Sequence, residues 1–332
     1  MANECRSIKN VLITGANGFI GAPLTRALLG RGFHVRMTGT ERPEPLIALG
    51  ADWLPMVDLS HTVDWAPALA DMDAVVHLAG IAHRPETTRF GDALLYEQVN
   101  HQATRSLAKA LLVSTTVQRF LFFSTVRVHG DPQSFPVVAE TPLAPLTPYD
   151  ASKVAAEQAI RECLPPERVC WAILRPAVIY GPGNRGNMAK LEMLLRMGMP
   201  VPVGLKANRR SFLFLGNVLS AVEAFLSHPA PPTGKIWPLA DDEPSSTESL
   251  VRAMARAMNL KPRLLHLPEV VLSSTARVGD FFCALGMPFP WHTAVREKFL
   301  ADFWVDCSAI KEDLGWEPPY RLEEGIHKTY QY

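Results

Sequence analysis

The sequence predicts an α/β fold, a doubly wound and mostly parallel sheet with a smaller α/β C-terminal lobe. Three observations lead there. Short β-rich runs alternate with helix-like segments through the first half of the chain. The first of those runs empties into a glycine-rich turn. The alternation is lost after Tyr180, where Gly and Pro cluster in YGPGNRG and again in MGMPVPVG. Strands separated by helices need crossover connections, so the sheet is parallel and covered on both faces.

The elements follow in order. VLIT (11–14) is the first strand, and after the turn PLTRALLGRG has helical spacing. HVRMT (34–38), AVVHLAG (74–80), RFLFFST (119–125) and WAILRP (171–176) are further strands, with helix-like segments such as QATRSLAKALL (102–112) between them. Residues 1–180 are therefore expected to form one domain and 181–332 mainly a second lobe, with segments near 211–240 returning to the first. The stretch 273–290 fits neither pattern, and no internal repeat or low-complexity tract is present.

Composition narrows the function. The chain has 332 residues, 48% hydrophobic and 20% charged, enough apolar content for a large core and too much for a disordered chain. Its 33 basic and 33 acidic side chains cancel, which removes the broad attraction that nucleic acids and anionic membranes exert, so neither is expected as a partner. No apolar run reaches the roughly 18–20 residues that cross a bilayer. The opening MANECRSIKN lacks a signal-like apolar stretch, and a cytoplasmic location is expected. Five cysteines, scattered and without a C-x-x-C pair, read as small buried hydrophobes, and His77, His83, His101 and His129 follow no metal-ligand spacing.

The first strand runs into Gly15, Ala16, Asn17, Gly18, Phe19, Ile20 and Gly21, then a helix. Gly15 permits the tight turn, Gly18 the approach of backbone to a pyrophosphate, and Gly21 the packing of helix on strand, while the helix N-terminus offers its N–H groups to the anion. An ordinary strand-to-helix loop has the same glycines; the alternating context selects the dinucleotide. Where an NAD site usually has a carboxylate, the second strand ends in Thr38, Gly39 and Thr40. A 2′-phosphate would fit there beside Arg36 or Arg42, so the cofactor is read as NAD(P), leaning to NADP(H). Glu41 opposes this, and both arginines also suit a solvated surface.

Tyr149 and Lys153 stand four apart on a helical pattern and so share a face; a neighbouring ammonium favours phenolate and suits the tyrosine to general acid–base work. Ser124 and Thr125 close the RFLFF strand, where hydroxyls line the ligand crevice of a parallel sheet or simply terminate the strand.

These residues resemble the extended short-chain dehydrogenase/reductases, the family of nucleotide-sugar epimerases, dehydratases and ketoreductases, over nearly the whole chain. The resemblance implies a Rossmann-type fold. On the cofactor side it implies the turn Gly15, Asn17, Gly18, Phe19, Ile20 and Gly21, with Asp58 and Leu59 near the adenine, then Leu78, Ala79, Gly80 and Asn100, and finally Tyr149, Lys153, Pro176 and Val178; Arg42, read above from the residues, joins them as a cofactor candidate. Ser124 to Gly130 (STVRVHG) is similar to the family's S-[ST]-x-x-V-Y-G segment and gives Thr125 a catalytic role with Tyr149 and Lys153. RPAVIYGPG (175–183) and LGWEPPYRLEEGI (314–326) match further family motifs. Substrate-side residues implied are Thr125, Arg127, Tyr149, Asn184, Asn187 and Arg210, the last being like the arginine that holds a nucleotide diphosphate; Asn184, Arg185 and Asn187 fit an ordinary turn equally well.

The departures from the family pattern matter too. Dehydratases carry Asp-Glu after the catalytic hydroxyl, and here Val126 and Arg127 stand there, so elimination of water lacks its acid and base. His129 replaces a tyrosine usual in UDP-galactose epimerases, and the segment looks most like a subgroup that includes 4-ketoreductases. The expected activity is NAD(P)H-dependent reduction of a UDP-4-keto-hexose, with a UDP-sugar 4-epimerase as the rival. Reduction of another small carbonyl and a non-catalytic NAD(P)-sensing role are more distant alternatives. By resemblance, helices around 93–113 and 150–163 pair two subunits into a homodimer.

Overall fold

The computed structural model describes residues 7–331 apart from 56–57, 83–88, 131–135, 185–186 and 288–290. Eleven strands follow in chain order: β1 (Asn10–Thr14), β2 (His34–Gly39), β3 (Asp52–Pro55), β4 (Ala74–His77), β5 (Arg119–Phe123), β6 (Cys170–Pro176), β7 (Val178–Tyr180), β8 (Val201–Gly204), β9 (Phe212–Phe214), β10 (Lys235–Leu239) and β11 (Leu264–Leu267). Seven of them form one wholly parallel sheet in the order β10-β6-β5-β4-β1-β2-β3. After β3 the chain crosses back to place β4 on the other side of β1, and open parallel sheets hold their ligand crevice beyond the carboxyl ends of the strands at such a reversal.

Both faces of the sheet are buried, and successive residues alternate between them. Val11, Ile13, Val76, Leu121, Phe123 and Leu174 pack with Leu24 and Leu28 of helix Gly21–Gly30 and with Val218, Val222 and Phe225 of helix Leu215–Ser227. Leu12, Val75, Phe120, Phe122 and Ile173 pack on the other side with Leu107 and Leu111 of helix Ala103–Val113 and with Ala156 and Ile160 of helix Pro148–Cys163. The periodicity places β1, β2, β5 and β6 within a residue or two, while AVVHLAG leaves the sheet after His77 and RFLFFST after Phe123. The short DWLP strand, β3, escapes it.

The tail of the chain also joins the main core. Helix Leu215–Ser227 and β10 lie with the sheet, and so do Val305, Cys307, Ile310, Leu314 and Trp316. A third core gathers Met188, Leu191, Leu195, Val201, Leu250, Val251 and Met254 beside two small parallel pairs, β11 with β8 and β7 with β9. No helix among the described residues is long and apolar enough to cross a membrane.

Asp241 ties the two regions together. Its buried carboxylate accepts from the Tyr180 hydroxyl (3.0 Å), the Phe214 amide (2.8 Å) and the Asn217 side chain (2.6 Å). Burial still pushes its pKa up to about 6, against the pull of those three donors. The C-terminal helix Leu322–Tyr330 closes over this junction through Gly325, where an added Cβ would lie 2.4 Å from the Tyr180 hydroxyl and 2.8 Å from the Phe214 ring. Gly325→Ala is therefore expected to cost about 1–3 kcal/mol by overpacking, read as a shifted denaturant midpoint. An unchanged midpoint would show that the C-terminal helix is not locked there.

Candidate active site

The glycine turn leaves no room for side chains. Gly15 sits at φ +71°, and a Cβ there would lie 2.8 Å from the Ala79 nitrogen. At Gly21 a Cβ would come within 2.3 Å of the Gly15 carbonyl oxygen, which already accepts the Gly18 amide at 3.1 Å. Helix Gly21–Gly30 starts at Ile20 with no side-chain cap and no acidic residue in its first turn, so its positive dipole end is left for an anion; the Ala22 amide is spent on the Gly18 carbonyl and Pro23 has no N–H. A glycine cradle opening onto an uncapped helix N-terminus fits the pyrophosphate of a dinucleotide.

The surroundings of the turn are built from backbone and small side chains. Asn17 donates to the Glu41 carbonyl and ties the turn to the loop after β2. Leu78 and Ala79 follow β4, their amides donating to the Thr14 carbonyl and hydroxyl, each at 3.2 Å. Gly80 faces Asn100 and Lys153: a Cβ there would lie 3.0 Å from Asn100 Oδ1 and 3.5 Å from Lys153 Nζ. The buried Asn100, in a π-helical stretch (Glu97–Gln102), accepts from the Ile81 amide (2.8 Å) and donates to the Ile81 carbonyl and to Ser152 (both 3.0 Å). Asp58 is exposed and caps its own turn at Ser60 (2.9 Å), and Leu59 packs on the core.

The arginines expected at a 2′-phosphate point elsewhere. Arg36 is spent on main-chain carbonyls, donating to Ala70 at 2.6 Å and to Ala68 and Pro67 at 3.3 and 3.4 Å. Arg42 pairs with Glu44 at 2.8 Å on the surface. The lean to NADP(H) loses its physical support. Thr38, buried at the end of β2, has no partner for its hydroxyl among the described residues.

Helix Pro148–Cys163 places the ionisable groups. Thr147 caps it reciprocally with Asp150, so Tyr149 falls in the first turn, and Lys153 and Glu157 follow on the same face. Tyr149 is half-buried, its ring edge-to-face with Tyr96 at 5.9 Å, and the nearby Thr125 hydroxyl favours its ionised form. The Arg127 amide donates to Thr125 Oγ1 at 3.2 Å, so Thr125 keeps its own proton to give.

Lys153 does not lower the Tyr149 pKa as the four-residue spacing leads one to expect. Desolvation and then the Asp150 charge push the phenol up to about 12, with Arg127 and Thr125 pulling the other way. The ammonium turns inward, donating to the Phe123 carbonyl at 2.9 Å and lying 4.8 Å above the Phe122 ring. Burial draws it down to about 8, against the opposing Glu157 charge.

The two hydroxyls closing β5 part company because adjacent residues alternate in direction. Ser124 turns away from Tyr149 and donates to Glu157 at 2.5 Å. Glu157 in turn is gripped bidentately by Arg175 at 3.0 and 2.6 Å, all three side chains being buried. Arg175 also donates to His129 Nε2 at 3.1 Å, so His129 is neutral with its proton on Nδ1, facing the Pro142 carbonyl. Burial and the Arg175 charge lower the His129 pKa accordingly.

The substrate-side expectations meet local structure. Arg127 commits two of its three nitrogens to Asp150, at 3.1 and 3.2 Å, so it positions the helix start rather than standing free. Asn184 donates to the Ile179 carbonyl at 2.8 Å, as a turn residue does. Arg210 bridges two segments through its backbone, at Ser245 and Phe303, and donates to the Ala301 carbonyl at 2.8 Å; burial draws its pKa down to about 10. Pro176 closes β6 in register with Leu239, and Val178 opens β7 with an exposed side chain. Arg185 lies outside the described residues, and the Asn187 side chain is not described. No three His, Cys, Asp or Glu side chains gather into a metal site among the described residues.

Sequence reasoning missed the Ser124–Glu157–Arg175–His129 network, although Glu157 continues the 149, 153 spacing. It also missed His77. Thr14 donates to His77 Nδ1 at 2.7 Å, and His77 Nε2 donates to Thr104 Oγ1 at 3.1 Å, whose proton goes to the Asn100 carbonyl at 2.7 Å. This chain joins β1, β4 and the Asn100 helix behind the crevice. Burial and then the Lys153 charge hold the His77 pKa down to about 3. The unfolded chain takes up that proton below pH 6.5 and the native state does not. The associated stability is therefore full above 6.5 and is lost as pH falls toward 3. Relative to His77→Gln, wild type is expected to lose about 1.4 kcal/mol per pH unit across that window, measured by denaturant titration. A flat difference would rule the neutral, buried histidine out.

Comparisons with known proteins agree with this geometry. The model of the NAD dependent epimerase/dehydratase family matches residues 11–240. The UDP-glucose 4-epimerase of Vibrio cholerae is 28% identical over 97% of this chain and 95% of its own. The N-acetyl-alpha-D-glucosaminyl-diphospho-ditrans,octacis-undecaprenol 4-epimerase of Escherichia coli O157:H7 is likewise 28% identical, over 97% and 95%. Among solved structures, UDP-glucuronic acid 4-epimerase from Bacillus cereus, in complex with UDP-glucuronic acid and NAD, superposes with a TM-score of 0.74 at 23% identity, covering 97% of this chain and 98% of the other. The chain belongs to the NAD dependent epimerase/dehydratase family.

Proposed function

We propose that the protein is a nucleotide-sugar 4-epimerase that keeps NAD bound and acts at carbon 4 of a diphosphate-linked hexose. The observation that carries this reading is the Thr125–Tyr149 pair, set beside Lys153 and across Gly80 from the glycine turn. Bound NAD would supply the hydride acceptor and donor. Gly15, Gly18 and Gly21 would hold its pyrophosphate, Asn17, Phe19 and Ile20 the rest of the turn's contact, and Leu78 to Gly80 the far wall. Tyr149 would take the proton of the sugar hydroxyl and return it to the ketone oxygen. Thr125 would donate to the same oxygen while its charge develops, and the Lys153 ammonium, fixed on the Phe123 carbonyl, would supply positive charge at the crevice floor.

Two features support epimerase over the expected ketoreductase. The relatives at 28% identity are named as 4-epimerases, and the arginines that would favour NADPH are engaged elsewhere. Dehydration finds no base: Asp150, next to Tyr149, is held by Arg127 and by the helix cap. The STVRVHG segment favours the ketoreductase, which would use the same residues for a single half-reaction. Arg210 stays a proposed diphosphate ligand, and a homodimer through the 93–113 and 150–163 helices is proposed on resemblance and on the exposed Leu94, Leu112 and Val113.

Purified protein incubated with UDP-sugars is expected to yield the carbon-4 isomer with no net change in reduced nicotinamide. Stoichiometric loss of NADH or NADPH, only with 4-keto sugars, would assign the ketoreductase instead. Tyr149→Phe should lower kcat by about 10²–10⁴-fold, and unimpaired turnover in that variant would overturn both assignments.

A further inference from the structure

Helix Glu269–Ala284 is apolar on the wrong side. Its inner face is settled: Leu272, Ala276 and Gly279 are buried, Asp280 accepts from the Thr293 amide at 3.0 Å, and Arg296 donates to Ser273 at 2.8 Å and pairs with Glu269. At about 100° per residue, Val270, Ser274, Val278, Phe281 and Leu285 fall within about 80° of one another on the opposite face. The four apolar members of that stripe are 75, 54, 62 and 59% exposed. Leu267 of β11 is in register with Gly204, so Leu205, 68% exposed, and Lys206 lie where the strand turns into this helix. Nothing in the proposed chemistry uses this face.

Two exposed cations, Lys206 and Arg277, flank it. From Met193 to Val222 and from Ser249 to Pro268 the chain carries basic residues and no acid. Lys206, Lys261, Arg263 and Arg277 have no acidic partner among the described residues. Of the two acids of the helix, Glu269 pairs with Arg296, and Asp280 is turned to the inner side by Thr293. Overall neutrality hides this face.

We infer that this face docks on an anionic lipid bilayer, the stripe entering the headgroup boundary and Lys206 and Arg277 meeting the lipid phosphates. An apolar stripe flanked by unpaired cations is what an interfacial helix needs. A second copy of the chain fits less well, because a two-fold contact would set the same cations against each other. The membrane expected to be absent from the partners thereby returns as a surface, with no span implied. The inference does not depend on the proposed chemistry, since binding is read without substrate.

The full chain, sedimented with vesicles of phosphatidylcholine and phosphatidylglycerol, is expected to pellet, to pellet less with phosphatidylcholine alone, and to be released by salt raised to about 0.5 M. Val278→Asp with Phe281→Asp should reduce partitioning about tenfold at unchanged melting temperature. Lys206→Glu with Arg277→Glu should reproduce the loss and covers the case in which the stripe variant fails to fold. Wild-type protein remaining in the supernatant, or variants pelleting like wild type, would overturn the inference. So would a dimer in sedimentation velocity that Phe281→Asp dissolves without any vesicle binding.

Discussion

Burying one face of helix Pro148–Cys163 against the end of β5 is the constraint on which the site depends. That face carries Tyr149, Lys153 and Glu157, three groups that lose water when the helix docks, and each must find a partner in the protein. Lys153 finds the Phe123 carbonyl and Glu157 finds Arg175 and Ser124, while Tyr149, less buried, packs its ring on Tyr96 and keeps its phenol near Thr125. The partners come from β5, from the turn after it and from β6, so satisfying the helix also fixes three consecutive parts of the sheet. Breaking the Glu157–Arg175 pair from one side would strand a buried charge, which is far more damaging than losing a surface pair.

The entrance to that helix is set with the same economy. Asp150 serves twice, closing the reciprocal cap with Thr147 and receiving the Arg127 fork. Arg127 belongs to the short turn Val126–His129, whose first amide orients Thr125. One carboxylate thus determines how far Thr125 stands from Tyr149. In this chain Arg127, where dehydratases carry one of their two carboxyl groups, braces the start of the tyrosine's helix.

What the sequence revealed was what is encoded by spacing. The glycine turn, the buried strands and the Tyr149–Lys153 interval are local patterns of period two or four, and local geometry obeys them. What it concealed depends on partners distant in the chain. Arg36 and Arg42 are close in number to the cofactor crevice, yet Arg36 is consumed by carbonyls some thirty residues away and Arg42 by a neighbour. The direction of Lys153 depends on a strand-end carbonyl, which no side-chain pattern announces. Likewise, β10 lies in the 211–240 stretch expected to return to the first domain, but that it pairs with β6, which offers an open edge, is not visible in the sequence. The opaque stretch after residue 273 resists reading for a simpler reason: helices apolar on two faces show no amphipathic period.

The proton inventory of the site favours one direction of the chemistry. With the phenol near 12 and the ammonium near 8, both carry their protons at neutral pH. A protonated phenol can give its proton to a ketone oxygen at once, but it can take one from an alcohol only after losing its own. An enzyme that merely reduces needs nothing more, whereas an epimerase must run both halves and so needs the phenol lowered once substrate is seated. Two groups already pull that way, the Arg127 cation and the Thr125 hydroxyl, while burial, the Asp150 carboxylate and Tyr96 hold the phenol up. Burial is the largest of these, so contacts made by the seated substrate have to outweigh desolvation before the phenol can act as a base. Moving Arg127 relative to Asp150, with no change in the fold, would tune the balance between the two half-reactions rather than set it.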